Sequence, residues 1–293
     1  MTEPNQPEPS QLEPNQLEPS QLDERETDGV ALTGRLAMIG AGNMGRTILA
    51  GLLAAGTSPE QLVASTRSQA SAERLAEELG IQAGTDNQAA VADAQVVVLA
   101  VKPKDVVATV AALDLAEGTV LVSVAAGIST VAIEAVAPGT HVVRVMPNTP
   151  AQQRQGMSGV SGGASASEAH VSQVVELMSA VGKAVVVPEA QQDLVVAVSG
   201  SGVAYLYLVA ESMISAGVTL GLTRAAAAEM VVQTFAGATA MLQTGEHPAV
   251  LRENVSSPGG TTVQALAQLE AHGIRTAFLD AMTAARDASA GLG

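Results

Sequence analysis

Two stretches of this sequence carry residue types and spacings that can do chemistry. The first is GAGNMG, Gly40 to Gly45, directly behind the apolar run RLAMIG, 35–40. It has the G-x-G-x-x-G spacing, and a helical pattern of apolar residues runs from Met44 to Ala55. A strand before and a helix after are the context in which this spacing binds a dinucleotide. Gly40 permits the tight turn, Gly42 lets the backbone approach a pyrophosphate, and Gly45 lets helix and strand pack closely. The helix N-terminus then stabilises the phosphate charge. The second stretch is NVSSPGGTT, Asn254 to Thr262, inside a long run of helical sequence. Pro258, Gly259 and Gly260 interrupt the periodicity, and Ser256, Ser257, Thr261 and Thr262 supply hydroxyls.

The nucleotide can be read further. A site for the unphosphorylated cofactor carries an acid about 20 residues on, which holds the ribose 2′-hydroxyl. Here that region reads ASTRSQ, 64–69, with no acid. Ser65, Thr66, Arg67 and Ser68 offer a cation and hydroxyls, which suits a 2′-phosphate and favours NADP(H) over NAD(H). VLAVKP, 98–103, ends the strand expected beneath the cofactor, and functional residues gather at such carboxyl ends. Lys102 either faces phosphate or caps the following helix, which Pro103 starts. The strand 141–147 ends in MPNTP, a stiff corner that either lines the nicotinamide side through Asn148 and Thr149 or is a plain rigid turn.

The second stretch suits an anion and a ring. Gly259 and Gly260 leave backbone N–H groups unobstructed, and Thr261 or Thr262 begins the helix TVQALAQLEAHG. Free N–H groups in its first turn make a carboxylate site. The threonines can equally serve as N-caps, and the two roles are compatible. SGSG, 199–202, lies inside a long helix, where small residues allow close approach by another helix or by the cofactor. The four histidines, His141, His170, His247 and His272, are separated with no metal-ligand spacing and read as structural or surface residues. No metal site is expected.

The elements that must position these residues follow from periodicity. Strands are expected at 35–40, 61–66, 94–101, 118–126, 141–147, 156–163 and 183–188. Helices lie between several of them, at 71–80 and 167–181 among others. Such alternation predicts a parallel doubly wound sheet. After residue 189 the pattern is helical throughout, with segments at 223–245, 248–255, 262–272 and 273–289. The first helix of this part, AQQDLVVAVSGSGVAYLYLVAESMISAGV at 190–218, precedes these segments and is apolar nearly all round, which calls for burial against a second copy of the chain. The expected architecture is therefore α/β, a Rossmann-type NAD(P)-binding domain over 34–189 followed by an all-helical domain over 190–293.

Composition excludes several classes. The chain has 293 residues, 47% hydrophobic, with two Tyr, two Phe and no Trp, so Ala, Val, Leu and Met must build the core. Cysteine is absent, which removes disulfides, thiolate nucleophiles and thiolate metal sites. The formal net charge is −15, of which residues 1–29 supply −7. No basic cluster exists to grip a nucleic-acid backbone. Residues 1–33 hold imperfect EPxQL repeats, and their Pro, Gln and Glu content reads as a disordered tail. No signal peptide is expected and no stretch reads as a membrane span; VVVLAV, 96–101, is too short. These readings together point to the cytoplasm.

With these residues in hand, the chain resembles the pyrroline-5-carboxylate reductase family. The matching landmarks are GAGNMG at 40–45, AVKP at 100–103, RVMPNTP at 144–150, VSGSGVAY at 198–205 and NVSSPGGTT at 254–262. The resemblance implies reduction of the cyclic imine of L-1-pyrroline-5-carboxylate to L-proline, with NADPH or, alternatively, NADH. It also implies a helical dimerisation domain that interlocks with that of a second subunit, with decamers in many members. It places the cofactor against the backbone from Ala41 to Met44 (thus Gly42 and Asn43), Arg67 and Ser68. Asn87 falls at the adenosine end, and Ala100, Val101, Lys102 and Pro103 beside the cofactor. Asn254 and the loop Ser257, Gly259, Gly260, Thr261 and Thr262 fall by the substrate, with Thr262 hydrogen-bonded to the imine nitrogen. Whether Thr262 transfers a proton or only orients the ring is left open. Two residues depart from the family pattern: Val203 stands where SGSGPAY has proline, and Gly245 lies where some relatives carry an acid.

Overall fold

The computed structural model describes residue 32 and residues 34–291. The acidic repeats of the expected tail lie outside these residues. Eight strands form one sheet: β1 (Arg35–Ile39), β2 (Leu62–Ser65), β3 (Gln82–Gly84), β4 (Ala94–Leu99), β5 (Val120–Ser123), β6 (His141–Met146), β7 (Gly156–Gly162) and β8 (Gly182–Val186). Their order across the sheet is β3-β2-β1-β4-β5-β6-β7-β8. The order reverses between β1 and β4, which opens a crevice at the carboxyl ends of those two strands.

Period-two alternation builds a core on each face of the sheet. Leu36, Met38, Val96 and Val98 pack on one side with Ile48, Leu49 and Leu52 of α1 (Asn43–Ala54) and Leu177 and Met178 of α6 (Glu168–Ser179). Ala37, Ile39, Val97 and Leu99 pack on the other with Val106 and Val110 of α4 (Val106–Ala111) and Ile133 of α5 (Thr130–Glu134). A strand covered on both faces reads as a continuous apolar run, as AQVVVL does. The remaining helices of this part are α2 (Gln69–Leu79), closed by Gly80 in the left-handed region, and α3 (Asn87–Val91).

One expectation needs correction. The sheet is not wholly parallel, because β7 runs antiparallel to β6. The connection between them, residues 147–155, holds only a short 3-10 turn, Thr149–Gln153, and a parallel return needs a longer crossover. β8 then pairs parallel with β7 after α6. The three-residue β3, which carries one apolar residue, escapes a periodicity reading.

The C-terminal part is helical, as expected: α7 (Gln192–Val195), α8 (Gly202–Thr219), α9 (Arg224–Gln243), α10 (Pro248–Asn254), α11 (Thr261–Ala271) and α12 (Ile274–Ala290). Its first helix is not continuous. A π-turn, Val196–Gly200, separates α7 from α8, with the Ser201 N–H donating to the Val196 carbonyl five residues back. α12 returns to pack on α7 and this π-turn, and Ser289 Oγ donates to Asp193 Oδ1 at 2.7 Å. The helical stretches Glu189–Thr219 and Arg224–Gln243 are long and apolar enough to cross a membrane, contrary to the expectation that no stretch reads so. Leu206, Tyr207, Leu208, Met230 and Val232 are exposed along them in a single copy of the chain.

Candidate active site

β1 delivers Gly40 to the crevice. Its φ is +82°, and a Cβ there would stand 2.5 Å from Val101 Cγ1, so both backbone and space require glycine. The N–H groups of Gly40 and Ala41 donate to the Ser65 carbonyl at 3.0 and 3.1 Å, which fixes the turn against β2. At Gly45 a Cβ would lie 3.1 Å from Met38 Sδ and 3.2 Å from Ala100 Cβ; this residue sets how closely α1 lies on the sheet. Gly42 is different. A Cβ there would meet nothing nearer than the Gly40 carbonyl at 4.0 Å, so no protein atom demands glycine. Gly42 is also the N-cap of α1, which has no side-chain cap and no acid in its first turn. Free N–H groups and the positive end of the helix dipole thus face open space. A pyrophosphate fits that cradle.

A groove of about 1130 Å³ opens from this turn. Gly40, Ala41, Gly42, Asn43 and Met44 form its floor, and Ala100, Val101, Lys102 and Pro103 form the wall beyond β4. Arg67 and Asn87 line it as well, so eleven of the expected cofactor residues are brought together around one space. Asn87 opens α3, whose N-cap Asp86 accepts from Gln88 N and Ala89 N, and its Oδ1 accepts from the buried Ser65 hydroxyl. Lys102 precedes the 3-10 turn Pro103–Asp105, with Pro103 as its first residue.

Three expected residues lie elsewhere. Gly45 lies within α1, on the face packed against Met38 and Ala100. Ser68 caps α2 through Ser71 N and does not line the groove, whereas Ser71 and Thr66 do. Asn148 is buried; its Nδ2 donates to the Ser199 carbonyl at 3.2 Å and its Oδ1 accepts from Met157 N at 2.9 Å. It ties the corner after β6 to the π-turn. The groove also takes in Thr85, Asp105, Thr109 and the segment Val124–Ala126, which sequence reasoning did not single out. Val124–Ala126 follows β5, and the rule that sites gather at carboxyl strand ends points to it.

The second stretch forms the link between α10 and α11. Ser257, Pro258, Gly259 and Gly260 make a turn closed by Gly260 N–H to the Ser257 carbonyl at 2.9 Å. Proline second and a glycine at φ +69° third is the pattern of a type II turn. A Cβ on Gly260 would stand 2.5 Å from Ser257 Oγ. Gly260, not a threonine, is the N-cap of α11, and no side chain caps the helix. Its first-turn N–H groups are therefore free for a ligand. Thr262 is half-buried in the first turn, while Asn254, Ser257, Gly259 and Thr261 are exposed. Among the described residues, none from 254 to 262 lines the nucleotide groove of the same copy. Val203 occupies the second position of α8 without breaking it, and Gly245 adopts φ +86° in the turn after α9, where a side chain would be strained.

The junction between the two parts is polar and built. The Glu189 carboxylate accepts from Thr130 N at 2.7 Å and from Thr130 Oγ1 at 2.5 Å. Arg144 Nη1, on a side chain only 8% exposed, stands 3.4 Å from Glu189 Oε1. Gln192 Nε2 donates to the Gly159 carbonyl and to Ser161 Oγ, which holds α7 on β7.

Comparison with known proteins decides which chemistry this geometry serves. A curated pyrroline-5-carboxylate reductase from Corynebacterium melassecola is 43% identical over 265 residues, covering 88% of this chain and 98% of the relative. The enzyme of that name from Pseudomonas aeruginosa is also 43% identical, covering 89% and 97%. The chain belongs to the pyrroline-5-carboxylate reductase family. Residues 189–292 match the pyrroline-5-carboxylate reductase dimerisation family, and residues 35–127 match a family described as NADP oxidoreductase, coenzyme F420-dependent. Among solved structures, the pyrroline-5-carboxylate reductase of Coxiella burnetii superposes with a TM-score of 0.85 at 35% identity, covering 89% of this chain and 99% of that one. That of Plasmodium falciparum, solved with NADP bound, gives 0.78 at 26% identity, covering 89% and 98%. Family membership makes the chain an oxidoreductase that uses a nicotinamide nucleotide, acts on a small molecule and self-associates.

Proposed function

We infer that this chain reduces L-1-pyrroline-5-carboxylate to L-proline with NADPH, the final step of proline synthesis. The observation that carries the reading is the groove itself, a glycine-floored cradle at the switch point of the sheet, in a chain 43% identical to named reductases of this substrate. When bound, the reduced nicotinamide supplies the hydride. The chain's own residues bind and orient. The first-turn N–H groups of α1 hold pyrophosphate. Arg67, with Thr66 and Ser71 beside it in the groove, takes the 2′-phosphate, which is why NADPH is favoured over NADH. The free N–H groups of α11 and the loop Ser257–Gly260 take the substrate carboxylate, and the Thr262 hydroxyl steadies the ring nitrogen. Gly245 contributes no acid, so substrate anchoring rests on Asn254 and the loop.

The loop does not reach the groove of its own copy. A second copy supplies it. The dimerisation match over 189–292 and the exposed apolar faces of α8 and α9 support this reading, since pairing covers those faces and brings the loop of one subunit to the groove of the other. We place the domain boundary at 189–190, the assembly as an interlocked dimer with a decamer as its further state, and the reaction in the cytoplasm. Membrane and nucleic acid are not partners in this reading. The test is to supply purified protein with pyrroline-5-carboxylate and follow NADPH consumption with proline formation, then repeat it with NADH. Proline formed faster with NADPH supports the reading; a strong preference for NADH overturns the role given to Arg67.

A further inference from the structure

Arg67 and Asp105 both line the groove and form an ion pair, with Arg67 Nη2 3.7 Å from Asp105 Oδ2. They come from the connections after two different strands. Arg67 follows β2, where a ribose-binding acid would ordinarily stand, and Asp105 ends the 3-10 turn after β4. Of the described residues that line the groove, Asp105 is the sole acid, and Arg67 and Lys102 are the cations. The Asp105 side chain makes no capping bond to α4, although it occupies the N-cap position. Its carboxylate is thus spent on Arg67 rather than on the fold.

We propose that Asp105 sets the discrimination between NADPH and NADH by holding Arg67 away from the 2′-phosphate. This rests on the reading of Arg67 as the 2′-phosphate site. The phosphate must displace the carboxylate from Arg67 to bind, whereas a 2′-hydroxyl carries no charge and does not compete. Arg67 is 89% exposed on its side chain and Asp105 38%, so water and salt screen the pair and the effect is several-fold rather than thousands-fold.

The experiment is a binding cycle with NADPH, NADH, 2′,5′-ADP and 5′-AMP on the full chain and on Asp105→Asn, Arg67→Ala and the double variant. Asparagine keeps the size and polarity of Asp105, and a thermal melt reports that the variant is folded. At low salt, Asp105→Asn should raise the NADPH-to-NADH affinity ratio about three- to tenfold, with the same change for 2′,5′-ADP against 5′-AMP. In the Arg67→Ala background the gain should largely vanish. An unchanged or lowered ratio in Asp105→Asn overturns the proposal, as does a gain of equal size in both backgrounds. If Arg67→Ala lowers the ratio but Asp105→Asn does not raise it, this inference alone fails. If Arg67→Ala leaves the ratio unchanged, the 2′-phosphate site itself is misplaced and both readings fall.

Discussion

Asn148 donates from Nδ2 to the carbonyl of Ser199, joining the corner after β6 to the π-turn that opens the helical part. A π-turn shifts the regular hydrogen bonding of a helix, and a carbonyl it leaves spare needs a partner. Asn148 supplies one while its own Oδ1 accepts from Met157 N. Asn148→Ala should remove both of these bonds to half-buried backbone groups and cost about 1–2 kcal/mol in denaturant unfolding. A loss under 0.5 kcal/mol would mean that the site tolerates the vacancy or that water fills it.

Two glycines of the phosphate turn, Gly40 and Gly42, should separate on substitution. Gly42→Ala meets no protein atom and sits at φ −74°, so its melting temperature should stay near that of the wild type while NADPH affinity falls at least tenfold. Gly40→Ala combines a left-handed φ with a 2.5 Å approach to Val101 and should destabilise the fold itself. Equal loss of stability in both variants would contradict the distinction.

Arg144 and Glu189 lie at the boundary between the two parts. Removing the carboxylate with Glu189→Ala leaves a cation 8% exposed without its partner and also strips Thr130 of two acceptors. Glu189 is one-quarter exposed, so the cost should be about 2–3 kcal/mol, below that of a fully buried pair. Glu189→Gln, which can still accept from Thr130, should lose less. Calorimetry of both variants checks the order.

His141 and His170 stack with ring centroids 3.9 Å apart at the mouths of β6 and α6. Partial burial, and then the charge of His141, holds the His170 pKa below its ordinary value of 6.5. The unfolded chain takes up a proton there before the folded one does. The stabilisation is therefore present above pH 6.5 and is lost as pH falls through the lowered folded value. His170→Gln should flatten the stability profile below that pH, measured as urea midpoint against pH. A variant with the wild-type slope would remove His170 from the account.

Much of the sheet is legible in the sequence because strands covered on both faces are continuous apolar runs, as at Ala94–Leu99. The phosphate turn is legible because glycine spacing is a backbone property. The reversal of β7 is less so, since strand direction depends on the length of the connection at Thr149–Gln153 and not on the strand residues. The π-turn at Val196–Gly200 hides in an unbroken helical pattern, and with it the use of Asn148 as a tie. Ser71 and Asp105 reach the groove through tertiary placement of α2 and the turn after β4, which no local spacing records. The loop at 254–262 announces itself by composition, yet its cap is Gly260 because no threonine side chain is needed to start α11.

Thr262 should act on substrate and not on cofactor. Thr262→Ala should bind NADPH within about twofold of wild type while kcat/KM for pyrroline-5-carboxylate falls about 10- to 100-fold, the loss of one hydrogen bond to the reacting ring. Weakened NADPH binding would place Thr262 in the other subsite.

The most direct measurement uses NADPH deuterated at nicotinamide C4 in the transferable position. With pyrroline-5-carboxylate as substrate, the account requires proline carrying one deuterium at ring carbon 5, formed in step with NADPH oxidation. Absence of proline at ample protein, or proline formed without that deuterium, would contradict it.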